Sequence, residues 1–372
     1  MSRAVRSITK LGYSRVAKPL LFRLHPDVAH KRIAGLGYVV QYIPLINKIP
    51  RLWAHQNETK LAQRLHGLEF SNPIGLSAGF DKDVELVPLM KSIGMGYMIG
   101  GSVTAQPCEG NARPWYQRLP ALHSLVVHAG LPSVGAKVVK KRIGGYATSR
   151  FAGFPLSVSV AKTNNTNTAE DKQGIADYAE TLRLLKDESN IAMFEINISC
   201  PNAFGGEPFT TPERLDQLLQ KIDILQIGKP IFVKMPIDLS WAEFQDLLVV
   251  VAKHNIVGVT IGNLRKNRHG LKLPENTQPG GLSGEPTREI GNELIRQTYR
   301  QYGDRLTIIG VGGVFTADDA YEKIRAGASL VALITGLIFK GPQVVGDINA
   351  GLVSLLERDG FSNIAEAIGT DA

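Results

Sequence analysis

The chain has little cysteine and no long apolar run. Cys108 and Cys200 are its two cysteines in 372 residues. Two cysteines are too few for a disulfide scaffold, so a reducing compartment is expected. No uninterrupted stretch of about 18 or more apolar residues occurs, which excludes a transmembrane helix. No Cys and His cluster has the spacing of metal ligands, so no metal site is predicted.

Acidic residues are scarce at the N-terminus. Up to Arg51 the chain carries ten Lys or Arg and a single acid, Asp27. The net charge of the whole chain is +8. The basic charge therefore belongs to this segment, and the remainder is slightly acidic. A nucleic-acid partner is not expected, because such proteins carry a basic patch on the binding domain.

Short apolar runs alternate with amphipathic stretches from about residue 70 onward. Each run has the length of a buried strand, and the stretches between have the length of helices, with Ser240 and Thr316 as predicted N-caps. The pattern predicts a (β/α)8 barrel, with a doubly wound open sheet as the alternative because periodicity does not show closure. The predicted strands are 73–78, 97–103, 155–161, 193–198, 230–235, 257–262, 306–311 and 329–335.

Residues 1–60 do not follow this alternation and form a separate predicted helical segment, with the barrel over 61–372. Stretches 14–24 and 26–43 carry apolar residues at helical spacing with basic residues between them. Basic amphipathic helices are typical of a membrane surface. A helical cap on the barrel and, for residues 1–24, a transit peptide are the alternative interpretations.

Polar residues and glycines follow the predicted strands at their carboxyl ends, where barrels of this class hold their active sites. Glycine loops at 310–313 and 335–342 predict a phosphate site, because glycine lets backbone N–H groups approach an anion. Lys234 ends an otherwise apolar strand, so an anion such as a reduced flavin is expected beside it. Cys200, in "NISCPN" (197–202), is a candidate for proton transfer.

Several motifs together resemble the dihydroorotate dehydrogenase family over about Tyr13 to Pro342. They are "SAGFDKD", "GSVTAQPCEGNARPWYQRL", "NISCPN", "GGLSGEP", "IIGVGGVFTADDAYEKIRAGASLV" and "TGLIFKGP", while "LLFRLHPDVAH" is similar to the helical extension of the class 2 branch. The resemblance implies an FMN-bearing barrel that oxidises (S)-dihydroorotate to orotate and passes electrons to a quinone. It also implies peripheral attachment through residues 1–60 to the bacterial inner membrane (cytoplasmic face) or, in a eukaryote, the mitochondrial inner membrane.

The resemblance also implies roles for individual residues. Cys200 takes the place of the base that removes the C5 proton of the substrate, while N5 of FMN accepts hydride from C6. The implied substrate contacts are Lys82, Asn197, Asn202 and Asn263. The implied cofactor contacts are Ala78, Gly79, Ser102, Ser159, Lys234, Gly284, Gly312, Gly313, Thr335 and Gly336.

Four positions depart from the pattern of the class 2 branch. Cysteine at position 200 is similar to class 1, whereas class 2 members usually have serine. Val127 stands where the family has the first of four asparagines around the pyrimidine. Leu264 replaces a hydroxyl residue, and Ser159 replaces an asparagine that touches the flavin. Either His128 compensates from the position after Val127, or the substrate differs from orotate in that region.

Three other functions remain open at this stage. The first is a related FMN oxidoreductase that acts on a different reduced pyrimidine or a cyclic enamide, which Val127 and Leu264 favour. The second is a flavin barrel that acts on RNA, as dihydrouridine synthases do, although the slightly acidic barrel portion argues against it. The third is a non-catalytic protein that binds a flavin or a phosphate.

Overall fold

A computed structural model describes residues 2–43 and 59–372 of the chain. Residues 44–58 of the predicted N-terminal segment lie outside the described residues. Within the described ranges, no helix is long and apolar enough to cross a membrane.

Eight parallel strands close into a barrel, which confirms the predicted fold and excludes the open sheet. Around the ring the order is β10-β12-β13-β3-β4-β7-β8-β9, and all eight predicted runs contain the observed barrel strands. In chain order the strands are β1 (Gln63–Leu65), β2 (Leu68–Phe70), β3 (Ile74–Leu76), β4 (Tyr97–Val103), β5 (Tyr116–Leu119), β6 (Ser124–Val127), β7 (Leu156–Val160), β8 (Met193–Asn197), β9 (Ile231–Met235), β10 (Gly258–Ile261), β11 (Gly281–Leu282), β12 (Thr307–Val311) and β13 (Leu330–Leu333).

Helices cover the outside of the barrel, and further helices precede its first strand in the chain. Ser240 and Thr316 each form a capping box, so both predicted N-caps are confirmed. The helices are α1 (Ser2–Gly12), α2 (Lys18–Arg23), α3 (Pro26–Val40), α4 (Val87–Ser92), α5 (Ala136–Gly144), α6 (Asp171–Leu185), α7 (Pro212–Asp223), α8 (Trp241–Lys253), α9 (Arg288–Tyr302), α10 (Ala317–Arg325), α11 (Thr335–Lys340) and α12 (Val344–Asp359). A π-helical turn, Tyr13–Ala17, connects α1 with α2.

Strand β8 serves both the core and the site, because successive side chains of a strand point to opposite faces. Phe194 and Ile196 are fully buried in the large cluster that includes the covering helices. Met193 belongs to a second, smaller cluster of buried side chains, which also includes Phe232 of β9. Asn197, which faces the same way as Met193, lies at the carboxyl end of the strand and lines a cavity there.

The N-terminal helices are docked on the barrel. Arg6 of α1 pairs with Asp347 of α12 at 3.1 Å. Asp27 of α3 pairs with Arg113 at 3.2 Å and accepts hydrogen bonds from the backbone N–H of Trp115. The helical prediction for residues 14–24 and 26–43 is confirmed, and the docking agrees with the interpretation of the segment as a cap.

The same segment carries most of the exposed apolar surface of the described residues. Eleven of the fifteen exposed large hydrophobic side chains lie between Ile8 and Ile43, and Ile8 and Leu36 are 70% and 65% exposed. A cap that only covers the barrel would not leave its outer side chains apolar. The segment therefore also has the property that a surface-binding helix pair needs.

A small antiparallel sheet, which the sequence analysis did not predict, stands beside the carboxyl ends of the barrel strands. It has the order β11-β6-β5. Residue 127 of β6 is paired on one side with Tyr116 of β5 and on the other with Gly281 of β11. This sheet forms a wall between the barrel and the N-terminal helices.

Candidate active site

A cavity of about 640 Å³ runs from α2 and α3 to the carboxyl ends of the barrel strands. A smaller cavity of about 90 Å³ adjoins it, and Ala78, Lys234 and Thr335 line both. Asn263 also lines both. Of the other predicted site residues, the larger cavity is lined by Gly79, Lys82, Ser102, Asn197, Cys200 and Asn202, and the smaller by Gly284, Gly312, Gly313 and Gly336. The structure thus brings together nearly all the residues that the sequence analysis singled out.

Ser159 is the exception among the predicted site residues, because it lines neither cavity. Its side chain is fully buried, and its hydroxyl lies 3.0 Å from that of Ser102. Ser102 in turn accepts a hydrogen bond from Asn197 Nδ2 at 2.9 Å. Ser159 therefore reaches the cavity only through Ser102, and it orients the hydroxyl that holds Asn197.

Both ends of the Asn263 and Asn197 amides have protein partners. Asn263 Oδ1 accepts from the backbone N–H of Leu264 at 2.9 Å, and its Nδ2 donates both to the Ser199 hydroxyl, at 2.6 Å, and to the Ser199 backbone carbonyl. Asn197 Oδ1 accepts from the backbone N–H of Ser199 at 3.3 Å. A primary amide has two N–H donors and two acceptor sites on its oxygen. These bonds orient the side chains and leave one acceptor site on Asn263 Oδ1 and one N–H of Asn197 for a ligand.

His128 lies behind the cavity wall, whereas Val127 forms part of the wall itself. The His128 ring bridges two amides, with Nδ1 3.3 Å from Asn202 Oδ1 and Nε2 3.4 Å from Asn111 Nδ2. Asn202 Nδ2 donates to the backbone carbonyl of Val127 at 2.9 Å. His128 thus holds Asn202 from outside the cavity, and it does not replace a side chain at position 127.

Cys200 lies on the loop after β8 and lines the larger cavity. Burial raises the pKa of its thiol to about 11, although a hydrogen bond from the backbone N–H of Asn202 and the charges of Lys234 and Lys162 act in the opposite direction. Cys200 was predicted from the sequence as a candidate for proton transfer. Desolvation is the largest of these effects, so the thiol is protonated at neutral pH.

Lys162, which the sequence analysis missed, anchors the loop of Cys200. It follows β7, is only 3% exposed and donates to the backbone carbonyl of Phe204 at 2.7 Å. The backbone N–H of Phe204 donates to Asn164 Oδ1. Two side chains after β7 therefore hold both backbone groups of one residue in the loop. The sequence signal that could have indicated it is a lysine directly after the apolar run 155–161, at the carboxyl end of a predicted strand.

The smaller cavity has the donors of a phosphate site. Gly312 and Gly313 line it with positive φ values of 95° and 69°, which glycine adopts without strain. Thr335 and Gly336 begin α11, in which the backbone N–H of Ile338 donates to Ile334 O at 3.1 Å. The N–H groups of Thr335 and Gly336 precede this bond, at the positive end of the helix. These backbone donors suit a phosphate group.

The cavity becomes apolar towards the N-terminal helices. Phe22 and Ile33 line it there, together with His30. Burial lowers the pKa of His30 to about 4, so its imidazole is uncharged at neutral pH, and Nε2 lies 2.9 Å from the carbonyl of Phe80. The far end of the cavity therefore suits a neutral, largely apolar molecule.

Comparison with known proteins identifies the group to which this architecture is similar. The family model described as dihydroorotate dehydrogenase matches residues 60–356. Dihydroorotate dehydrogenase (quinone) of Haloarcula marismortui is 35% identical, over 96% of this chain and 98% of the relative. The enzyme of the same name from Synechocystis sp. is 36% identical, over 97% of this chain and 98% of the relative. The solved structure of Eimeria tenella DHODH in complex with ferulenol has a TM-score of 0.85 at 25% identity, covering 95% of this chain and 98% of that one.

Proposed function

The chain belongs to the dihydroorotate dehydrogenase family, and we propose that it oxidises dihydroorotate to orotate through bound FMN and passes the electrons to a quinone. The matched relatives carry the name of the quinone-linked enzyme, and this chain aligns with nearly the whole length of each. The observation that carries the proposal is the position of Cys200 in one cavity with Lys234 and the three predicted asparagines.

Bound FMN would supply the two-electron chemistry that links oxidation of the substrate at C6 to reduction of the quinone. Gly312, Gly313, Thr335 and Gly336 would hold its phosphate through backbone N–H groups. Lys234 lines both cavities and would place its ammonium beside the flavin ring. A positive charge there stabilises the negative charge that the ring gains on reduction.

Cys200 would remove the proton from C5 of the substrate, as a general base within reach of that carbon. Its sulfur becomes the proton acceptor as the C5–H bond breaks, and the electron pair of that bond forms the C5–C6 double bond as hydride leaves C6. The positive charges of Lys162 and Lys234 lower the pKa of the thiol and so favour the reactive thiolate.

The N-terminal helices would deliver the quinone from a membrane surface. The apolar end of the cavity opens among α2 and α3, and the outer surface of residues 8–43 is apolar as well as basic. A quinone dissolved in a bilayer would then enter the cavity without crossing water. The apolar cavity end and the exposed apolar surface support residues 1–60 as the membrane-contacting segment and 61–372 as the catalytic barrel.

Anaerobic reduction of the bound flavin tests the proposal. We expect yellow protein with about one FMN per chain, as a single phosphate site requires. Its absorbance should bleach on addition of dihydroorotate and return on addition of a short-chain quinone. Dihydrouracil, which lacks the carboxylate, serves as the comparison substrate and should bleach the flavin far more slowly. If dihydrouracil bleaches the flavin and dihydroorotate does not, the substrate is a different reduced pyrimidine.

A further inference from the structure

The small antiparallel sheet β11-β6-β5 presents one row of paired side chains to the larger cavity. Tyr116 of β5 is opposite Val127 of β6, and Arg118 is opposite Leu125. All four residues line the larger cavity. Directly opposed residues of an antiparallel pair lie side by side on the same face. The apolar side chain of Val127 therefore has the phenol of Tyr116 as its neighbour across the strand.

The Tyr116 hydroxyl is bound to Lys82. Lys82 Nζ donates to Tyr116 Oη at 2.6 Å and to the backbone carbonyl of Gly79 at 2.9 Å. The Tyr116 side chain is nearly buried, at 9% exposure for the residue. A hydroxyl that accepts a bond from an ammonium keeps its own O–H available to donate.

Donor groups are left over at this pair. An ammonium has three N–H donors and a phenol has one O–H donor. Within residues 2–43 and 59–372, two of the Lys82 donors have protein acceptors and the Tyr116 O–H has none. One N–H and one O–H remain, on atoms 2.6 Å apart. Two adjacent donors, one of them charged, match the two oxygens of a carboxylate.

The pair is connected to the loop of the proposed base. Val127, beside Tyr116, accepts the hydrogen bond of Asn202, which is two residues beyond Cys200. Lys82 holds the carbonyl of Gly79, and all these residues line the same cavity. A substrate whose C5 lies at Cys200 would thus extend towards the pair.

We propose that Tyr116 is a specificity-determining residue whose hydroxyl, together with the Lys82 ammonium, binds the carboxylate of the substrate. The inference rests on the proposed function, since it names the carboxylate of dihydroorotate. It gives the substrate a polar contact beside Val127, whose own side chain offers none.

The test is Tyr116→Phe, with Tyr13→Phe as the matched control. Tyr13 lines the same cavity, but its hydroxyl already donates to the carbonyl of Ile338 at 2.6 Å. Orotate binding is measured from the perturbation of the flavin spectrum, and dihydroorotate oxidation from anaerobic flavin reduction over a range of concentrations. Tyr116→Phe should raise the Kd of orotate and the half-saturating concentration of dihydroorotate about 10- to 100-fold, the effect of losing a hydrogen bond to a charged group.

The limiting rate of flavin reduction at saturation should stay within about threefold of the parent, because proton removal remains with Cys200. Tyr13→Phe should keep the parental Kd. If Tyr116→Phe binds orotate with the parental Kd while dihydroorotate reduces the parent, the inference is overturned and the proposed function stands. Loss of flavin, or a reduction rate that collapses at saturation, also overturns it. A parent that neither binds orotate nor is reduced by dihydroorotate overturns the proposed function as well.

Discussion

Lys162 donates a hydrogen bond to the backbone carbonyl of Phe204 at 2.7 Å, which ties the end of β7 to the loop that carries Cys200. The lysine is almost fully buried, and its charge acts on the Cys200 thiol. One side chain therefore both positions the loop and lowers the pKa of the sulfur. The two effects can be measured separately.

Replacement of Lys162 by methionine should slow flavin reduction by about 10-fold or more, since the loop loses an anchor and the thiolate loses a nearby positive charge. The pH profile of the reduction rate should also move upward, because that charge lowers the pKa of Cys200. Stopped-flow absorbance across pH measures both quantities. Lys172→Met, an exposed lysine of α6, is the control, and a profile identical to the parent in Lys162→Met would contradict the electrostatic role.

Flavin reduction should accelerate as the pH rises from 7 towards 11. Burial raises the pKa of Cys200 to about 11, so the fraction of the basic thiolate grows about tenfold per pH unit below that value. Cys200→Ala should keep FMN but reduce it about 10²- to 10⁴-fold more slowly. Cys200→Ser should retain partial activity with its profile shifted upward. Reduction of the alanine variant at the parental rate would show that another group takes the proton.

Acidic substitutions on the outer surface of the N-terminal helices should weaken membrane binding. Ile8→Glu combined with Val39→Glu replaces two exposed apolar side chains, 70% and 57% exposed, that do not line the cavity. Sedimentation with anionic phosphatidylglycerol vesicles should recover much less of this variant, because it loses apolar contact and gains repulsion. Flavin reduction by substrate should be unchanged. Ile224→Glu combined with Val249→Glu, at two exposed sites of the barrel helices, controls for the two added charges, and equal recovery of both double variants would contradict the assignment.

Gly336→Ala should reduce FMN retention. A Cβ at this position would lie 2.0 Å from the carbonyl oxygen of Val314, so the start of α11 must move away from the Gly312–Gly313 loop. The FMN content of the purified protein should fall well below that of the parent, while circular dichroism reports an intact barrel. Gly228→Ala, where a Cβ meets nothing within 4 Å, should keep its FMN. Full FMN occupancy in Gly336→Ala would show that the phosphate of FMN binds elsewhere.

The stability of the barrel should depend on pH through Lys323. Burial lowers the pKa of this lysine to about 7, and its ammonium donates to Asn292 Oδ1 at 2.7 Å. Between pH 7 and 10 the unfolded chain binds a proton that the folded chain releases, so the free energy of unfolding rises with pH, by up to about 1.4 kcal/mol per unit. Urea unfolding of the parent and of Lys323→Met across this range measures the difference between them. A difference that is constant with pH would contradict the prediction.

The sequence by itself determined the barrel strands and the end of the barrel that carries the chemistry. A parallel strand covered on both faces must be a nearly continuous apolar run. The prediction of a strand at 193–198 therefore agrees with Met193–Asn197 in the structure. Polar residues such as Cys200 and Asn263 follow these runs. They converge because the parallel strands of a barrel all have their carboxyl ends at the same rim.

Only the tertiary structure decided how the ring closes and what each polar residue contacts. Closure depends on the pairing of Ile74 in β3 with Val331 in β13, the first and last barrel strands. Local periodicity specifies which way a side chain faces along its own strand, and it does not specify the distant strand beside it. For the same reason the sequence could offer His128 as a substitute for a polar side chain at position 127. The register of β5 and β6 instead places Tyr116 beside that position.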